Sequence, residues 1–300
     1  MKNISFRHFL LLLSLSAFLF ACDSLSQEIE LDLPEYEREL NVEGYLLPGL
    51  PLYFLSLTET VGYFDEFDLP TINDATVVIE YGTEIDTLIP VNLVEGFTLP
   101  GISTDTIRLF LPGVEEVYLG LRLSPDDFTK KFNLTIVDEK GDRTATATTQ
   151  LMEPVRHDSM TYAFDDNGKA FVLTHFTDIP NQKNYYRRVL KVKRPFRVTG
   201  TEDTLWLSDV EQAFILDDEL NDGEPIVLGT GFDYEVGDTL ISFLYHIEKA
   251  YFDYIESADG AIQANFSPFS QPTRILDNII GGTGIFTGMA LDVDTVIIGQ

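Results

Sequence analysis

Apolar and polar residues alternate with a period of two along most of this chain, in short runs that break at Pro, Gly, Asn or Asp. Leu52–Thr58 (LYFLSLT), Ala75–Tyr81 (ATVVIEY), Tyr118–Leu123 (YLGLRL) and Phe132–Val137 (FNLTIV) are rich in β-branched and aromatic residues, the signature of half-buried strands. Asp138-Glu139-Lys140-Gly141-Asp142 predicts a hairpin turn into the Thr-rich strand Thr144–Leu151. Asn167-Gly168, between Tyr162–Phe164 and Ala170–Phe176, suits a type I′ turn, which needs positive φ at both central residues. Tyr185–Arg197 (YYRRVLKVKRPFR) is a strand whose alternation puts Arg187, Val189, Lys191 and Lys193 on one face and Arg188, Leu190 and Val192 on the other. Thr239–Ile247 is a strongly apolar strand. One helix is predicted, Glu248–Gln263, where Ala250, Tyr251, Tyr254 and Ile255 recur at helical spacing and Gly260 limits the length. The expected fold is therefore mainly β, with two β-sandwich-like domains and one short helix near the C-terminus. The first, immunoglobulin-like, covers 38–154 and closes at Glu153-Pro154; the second covers 155–300.

The N-terminus follows a different pattern. Lys2 and Arg7 precede a run, Phe9 to Phe20, that is almost wholly apolar and too short to span a bilayer comfortably. It ends in Leu19-Phe20-Ala21-Cys22, which resembles a bacterial lipobox, where the chain is cut before the cysteine and the thiol carries lipid. Residues 1–21 then form a lipoprotein signal peptide, and Cys22 is the lipidation site and the only cysteine in the chain. Residues 22–37 read as a lipidated acidic tether, too polar to bury itself and interrupted by Pro34. Lipid on Cys22 would make the membrane a partner, because each buried CH₂ contributes about 0.8 kcal/mol and two or three acyl chains anchor durably.

Charge narrows the function classes. The chain has 20 Lys+Arg against 49 Asp+Glu, a net charge of −29, and loss of the signal removes two cations and no acid. Such a surface repels nucleic acid, which is excluded as a partner. The dense positive charge of Tyr185–Arg197 is expected to neutralise acidic neighbours in its own sheet. His157, His175 and His246 are far apart in sequence and form no local zinc site. No G-x-S-x-G elbow appears, and no serine has a base close by in the sequence, so the chain is read as a non-enzyme. No cofactor is required, although the oxygen-rich Asp217-Asp218-Glu219-Leu220-Asn221-Asp222-Gly223 offers calcium candidates in Asp217, Asp218 and Asp222. Tyr63, Phe64 and Phe67 sit in an acidic stretch between strands and form the candidate contact loop.

Several segments resemble a Bacteroidota lipoprotein family, domain of unknown function 4249. Asp217–Gly223 is similar to its "sDel-nG" segment. Asn278-Ile279-Ile280-Gly281-Gly282-Thr283-Gly284-Ile285-Phe286 is similar to its "NI-GGLG-F" signature, and Ser267–Pro272 to the "NPF--P" segment before it. Val42–Tyr45 and Asn73–Val77 fit its "vveGyi" and "v-gA-V" pieces. The departures are Thr283 in place of Leu and Ser267 in place of Asn. The glycine run itself reads as a tight structural crossing, since no helix opening or lysine follows it as a phosphate loop would require. Gln27-Glu28-Ile29-Glu30 is loosely similar to the acidic export signals of surface lipoproteins in that phylum. The resemblance implies an outer-membrane, lipid-anchored protein, with surface exposure favoured by the acidic signal. It implies a lipoprotein often encoded beside a TonB-dependent outer-membrane receptor, and the function expected from this is a non-enzymatic binding module that works beside such a receptor in nutrient capture. The alternative is a structural or assembly lipoprotein of the envelope that binds another protein. No functional residues carry over.

Overall fold

The structure, a computed structural model, describes residues 36–48, 52–62, 70–94, 98–99, 102–103, 114–121, 128–197, 204–266, 271 and 273–299. Residues 38–300 form one compact unit. Its frame is an eight-stranded sheet ordered β14 (Thr204–Asp217), β13 (Tyr185–Arg197), β16 (Thr239–Ile247), β17 (Thr283–Ile297), β1 (Leu40–Leu46), β2 (Leu52–Glu59), β8 (Glu116–Leu121) and β5 (Ile89–Asn92). A four-stranded sheet runs β10 (Arg143–Gln150), β9 (Lys131–Asp138), β3 (Thr76–Tyr81), β4 (Glu84–Thr87). A three-stranded one runs β11 (His157–Phe164), β12 (Ala170–Thr177), β15 (Pro225–Gly229). β6 (Thr98–Leu99) and β7 (Ile102–Ser103) make a small ribbon, and α1 spans Lys249–Asn265. The protein is mainly β, with sandwich-like layers.

Alternation along the strands decides the layers. On one face of the large sheet, Leu40, Val42, Leu55, Leu57, Tyr118 and Phe286 pack against Val77, Ile79, Phe132, Leu134 and Ile136 of the four-stranded sheet. Farther along the same face, Tyr186, Leu190, Val192, Leu240 and Leu244 meet Ala170, Val172, Phe176 and Ile226 of the three-stranded sheet. On the opposite face, Tyr45, Phe54, Leu119, Tyr245, Ile247 and Met289 are covered by α1 through Tyr251, Phe252 and Ile255.

The division expected at Glu153-Pro154 is not a break in the fold. β17, the last strand in the chain, pairs in parallel with β1, the first, from Asn41↔Thr283 to Leu46↔Gly288. β17 also pairs with β16, so one sheet passes through both halves. The glycine-rich segment makes this possible. Gly281 and Gly284 have φ of +87° and +106°. A Cβ on them would lie 2.2 Å from the Thr144 carbonyl oxygen and 2.0 Å from that of Val42, respectively, so only glycine admits β17 here.

Two local expectations also change. The loop at Asp165–Gly168 is wider than a type I′ turn: only Gly168 has positive φ. The Asp165 carboxylate accepts the backbone N–H groups of Asn167 (2.9 Å) and Lys169 (2.7 Å) and shapes the longer loop. Gly260 does not end α1, which continues to Asn265.

Candidate functional site

Cys22 and the loop residues Tyr63, Phe64 and Phe67 lie outside the described residues, as does most of Ser267–Pro272. Of the other candidates, the calcium set can be located. Asp218 and Asp222 converge, and the third carboxylate beside them is Asp178, 40 residues earlier in the chain; oxygens of the three lie within 4.8 Å of one another. Asp217 has a different task, accepting the Glu219 backbone N–H at 3.3 Å.

The three carboxylates close two loops onto each other, the one after β12 and the one after β14. Asp178 Oδ1 accepts the Tyr186 hydroxyl (2.5 Å) and the Asn184 side-chain amide (3.0 Å), and its Oδ2 accepts the Gly223 N–H (2.7 Å). Asp218 Oδ2 accepts the Asn184 backbone N–H at 2.8 Å and its side-chain amide at 3.2 Å. Asp222 Oδ1 accepts the Asn181 N–H at 2.7 Å. Asn181 and Gly223 both take left-handed backbone, φ +65° and +74°, which turns these donors inward. Asp178 and Asp218 are buried, and no Lys or Arg among the described residues pairs with them. Neutral donors hold them instead. A hard cation would find the oxygen chemistry it prefers in this trio, and the donors already present make it a clasp between loops.

A second constellation had no signal in the sequence. His157 Nδ1 lies 2.7 Å from Asp292 Oδ2, and His157 Nε2 lies 2.9 Å from Ser242 Oγ. The same Asp292 oxygen accepts the His157 backbone N–H at 2.9 Å. These are the distances of a serine–histidine–aspartate relay. The three residues are scattered over β11, β16 and β17, so sequence spacing does not group them. Ser242 faces the three-stranded sheet between Leu240 and Leu244 and has no exposed surface. A nucleophile must reach its substrate, and in this packing the relay ties the start of β11 to the large sheet.

The basic strand meets several kinds of partner among the described residues. Arg188 is fully buried and makes no ion pair with any described carboxylate: Nη1 donates to Thr174 Oγ1 (3.4 Å), Nη2 to Gln212 Oε1, and the guanidinium lies 4.7 Å from the Phe214 ring centre. Burial lowers its pKa to about 10. Arg187 donates to the Tyr251 hydroxyl at 2.6 Å, and Lys191 sits 5.8 Å from the Phe243 ring. Arg194 approaches an acid, Asp238, at 3.6 Å.

An open cleft of about 420 Å³ is lined by Glu59, Pro70, Thr71, Asn73, Asp74, Asp138, Lys140 and Arg143 among others. Its charges are satisfied internally. Arg143 bridges Asp138 (2.6 Å) and Glu59 (2.7 Å), and Lys140 pairs with Asp74. Although burial opposes ionisation, the Arg143 and Gly141 hydrogen bonds hold the Asp138 carboxyl below its usual range.

A family profile described as domain of unknown function (DUF4249) matches residues 26–293. The chain belongs to this family. Within it, the segments that carry the resemblance have structural work to do. Asn278 uses its side-chain amide to hold both backbone groups of Phe286, at 2.8 and 2.9 Å, while Ile280 exchanges two backbone hydrogen bonds with Thr146. The signature from 278 to 286 thereby stitches β17 to β10, and Asp217–Gly223 builds the carboxylate clasp. No curated protein matches the chain. Among solved structures, a DUF4785 family protein from Legionella pneumophila subsp. pneumophila aligns at 12% identity over 68% of this chain and 52% of its own, with a TM-score of 0.23. The chain thus spans about half of that protein, a likeness too slight to carry an argument.

Proposed function

We propose that this DUF4249 protein is a non-enzymatic binding module, held by lipid on Cys22 at the outer membrane, that works beside a TonB-dependent receptor in nutrient capture. The observation that carries the binding part is the outer strand of the large sheet. β14 is fourteen residues long, contains no Pro or Lys, and pairs on one side only among the described strands. The opposite end of the sheet is closed by β5, four residues long with Pro90 inside it. A register shift opposite Leu190/Lys191, where Glu211 is the extra residue, interrupts this edge, and the regular stretches on either side of it are templates for strand addition by a partner. The β13–β14 pairing also extends past the end of the β13–β16 pairing. This arm of the hairpin runs from Arg194↔Leu207 to Arg197↔Thr204, whereas β13 leaves β16 at Lys193↔Thr239. The tether would keep this arm near a membrane partner and raise its effective concentration. No helix among the described residues is long and apolar enough to cross a membrane.

The test is co-purification from solubilised membranes, with two variants. Cys22→Ser should abolish fatty-acid labelling and membrane partition; unchanged labelling would remove the anchor and the localisation with it. Replacing residues 195–206 by Asn-Gly removes the β13–β14 pairing that extends past β16 and leaves the β13–β16 pairing whole, so the melting temperature should hold while receptor co-purification falls. An unaltered yield of receptor would refute the role of the arm. A scaffold protein of the envelope in place of a receptor would favour the assembly role instead.

A further inference from the structure

The two faces of the strands β14, β13, β16 and β17 are finished very differently. On the face toward the three-stranded sheet, Leu190, Val192, Leu240 and Leu244 are at most 1% exposed. On the other face α1 covers one end only, where Tyr245, Ile247 and Met289 are buried. From the edge of that cluster, where Val189 and Phe243 pack against it, the apolar surface runs on to the exposed Val293 and Ile297. The aligned row Ala213, Val189, Phe243 and Val293 runs straight across four strands. Val189 and Phe243 are half-buried, and Val293 and Ile297 are 48% and 63% exposed. A contiguous apolar strip on a sheet face marks an interaction surface when nothing of the chain covers it.

Charge says what kind of partner fits. The chain carries a net −29, yet the side chains β13 sends to this face include Arg187, Lys191 and Lys193. Arg187 bonds the Tyr251 hydroxyl and Lys191 lies over the Phe243 ring; neither meets a described carboxylate. On β13, β16 and β17 the rows that alternation places on this face, through Val189, Lys191 and Lys193, hold no acidic residue; Asp294 falls in the Leu190 row, which alternation places on the opposite face. We propose that this strip is a docking surface for an acidic, apolar-bearing segment of a partner protein, whose carboxylates would meet Lys191 and Arg187 while its apolar side chains cover Val189, Phe243 and Val293. A second copy of the chain would set Lys191 and Lys193 against the same lysines, and a lipid bilayer would have to accept the surrounding acidic body. The proposal rests on the reading of the protein as a binding module, but on a different surface from the β14 arm.

The experiment uses the full chain in its own cells, with a photo-reactive benzoylphenylalanine at Val293 and, as control, at Ile85, which is 69% exposed on β4. Mass spectrometry identifies the residues joined at each site. The expected product at Val293 is one protein, joined through a stretch rich in Asp and Glu, with no such product at Ile85. Lys191→Glu should weaken the product by about tenfold or more, because like charges across an interface cost several kcal/mol. Lys191→Arg should retain it, and equal melting temperatures would confirm that both variants fold. Self-joined chains, lipid adducts, a basic joined segment, or no product at Val293 would each overturn the proposal. Loss at Val293 with receptor still captured through the β13–β14 arm would leave the binding-module reading intact.

Discussion

Glu248 shows how one side chain can knit distant segments. Its carboxylate accepts the Thr149 hydroxyl, the Gln150 N–H (3.2 Å), the Thr287 hydroxyl (3.3 Å) and the Gly288 N–H (3.4 Å), joining β10 and β17 at the foot of α1. It therefore does not cap its own helix, although it occupies the N-cap position. Burial raises its pKa despite these donors. A carboxyl whose folded pKa exceeds its unfolded one binds more protons when folded, so stability should fall as pH rises from the unfolded value through the folded one. Urea unfolding from pH 4 to 8 should show this decline, and Glu248→Gln should flatten it. Glu248→Ala should cost about 1–3 kcal/mol at every pH, because buried donors lose their acceptor. The His157 relay makes a second prediction at this scale. With Ser242 sealed, a fluorophosphonate probe should leave it unlabelled in the folded protein, and Ser242→Ala should lower stability by about 1 kcal/mol. Labelling at Ser242 would reveal an opened, reactive state and reinstate hydrolase chemistry.

Among the elements, α1 and β17 were legible to different degrees. The spacing of Ala250, Tyr251, Tyr254 and Ile255 marks the buried stripe of α1, and Tyr251 is indeed among its buried residues. Gly260 was a misleading signal. A Cβ there would meet only Thr273 Cγ2, at an ordinary 3.6 Å, so the position tolerates a side chain. Gly260→Ala should stabilise the protein by about 0.5–1 kcal/mol through helix propensity and a less flexible unfolded chain. Thermal unfolding will check this, and a lower melting temperature would show that Gly260 is needed for packing. In β17, by contrast, the glycines are required. The sequence signals a tight crossing through their clustering; it does not reveal that the crossing is a parallel pairing with β1.

For the whole molecule, that pairing sets the unit of folding. The core between β1 and the four-stranded sheet includes Ile279 and Phe286 from the far end of the chain. A fragment of residues 38–154 therefore lacks two core side chains and leaves the β17 side of β1 unpaired. It should show no cooperative transition by circular dichroism, whereas residues 38–300 should unfold in one. A fragment that melts cooperatively would restore the two-domain division. The clasp of Asp178, Asp218 and Asp222 makes a separate link, since both of its loops, β12–β13 and β14–β15, run between the large sheet and the three-stranded sheet.

The sequence by itself determined the β class, most strand positions, the two faces of β13, the place of the helix and the family, because period-two alternation and local turn chemistry are properties of neighbouring residues. It also marked Asp218 and Asp222, whose oxygens lie in one short acidic segment. Only the tertiary structure decided that Asp178 completes that set, that His157 meets Asp292 and Ser242, that Arg188 is buried against Thr174, Gln212 and Phe214, and that β1 and β17 share a sheet. Each of these joins residues tens to hundreds of positions apart. Their encounter follows from strand order, and strand order is set by how the three layers bury their apolar faces together, which no local pattern encodes.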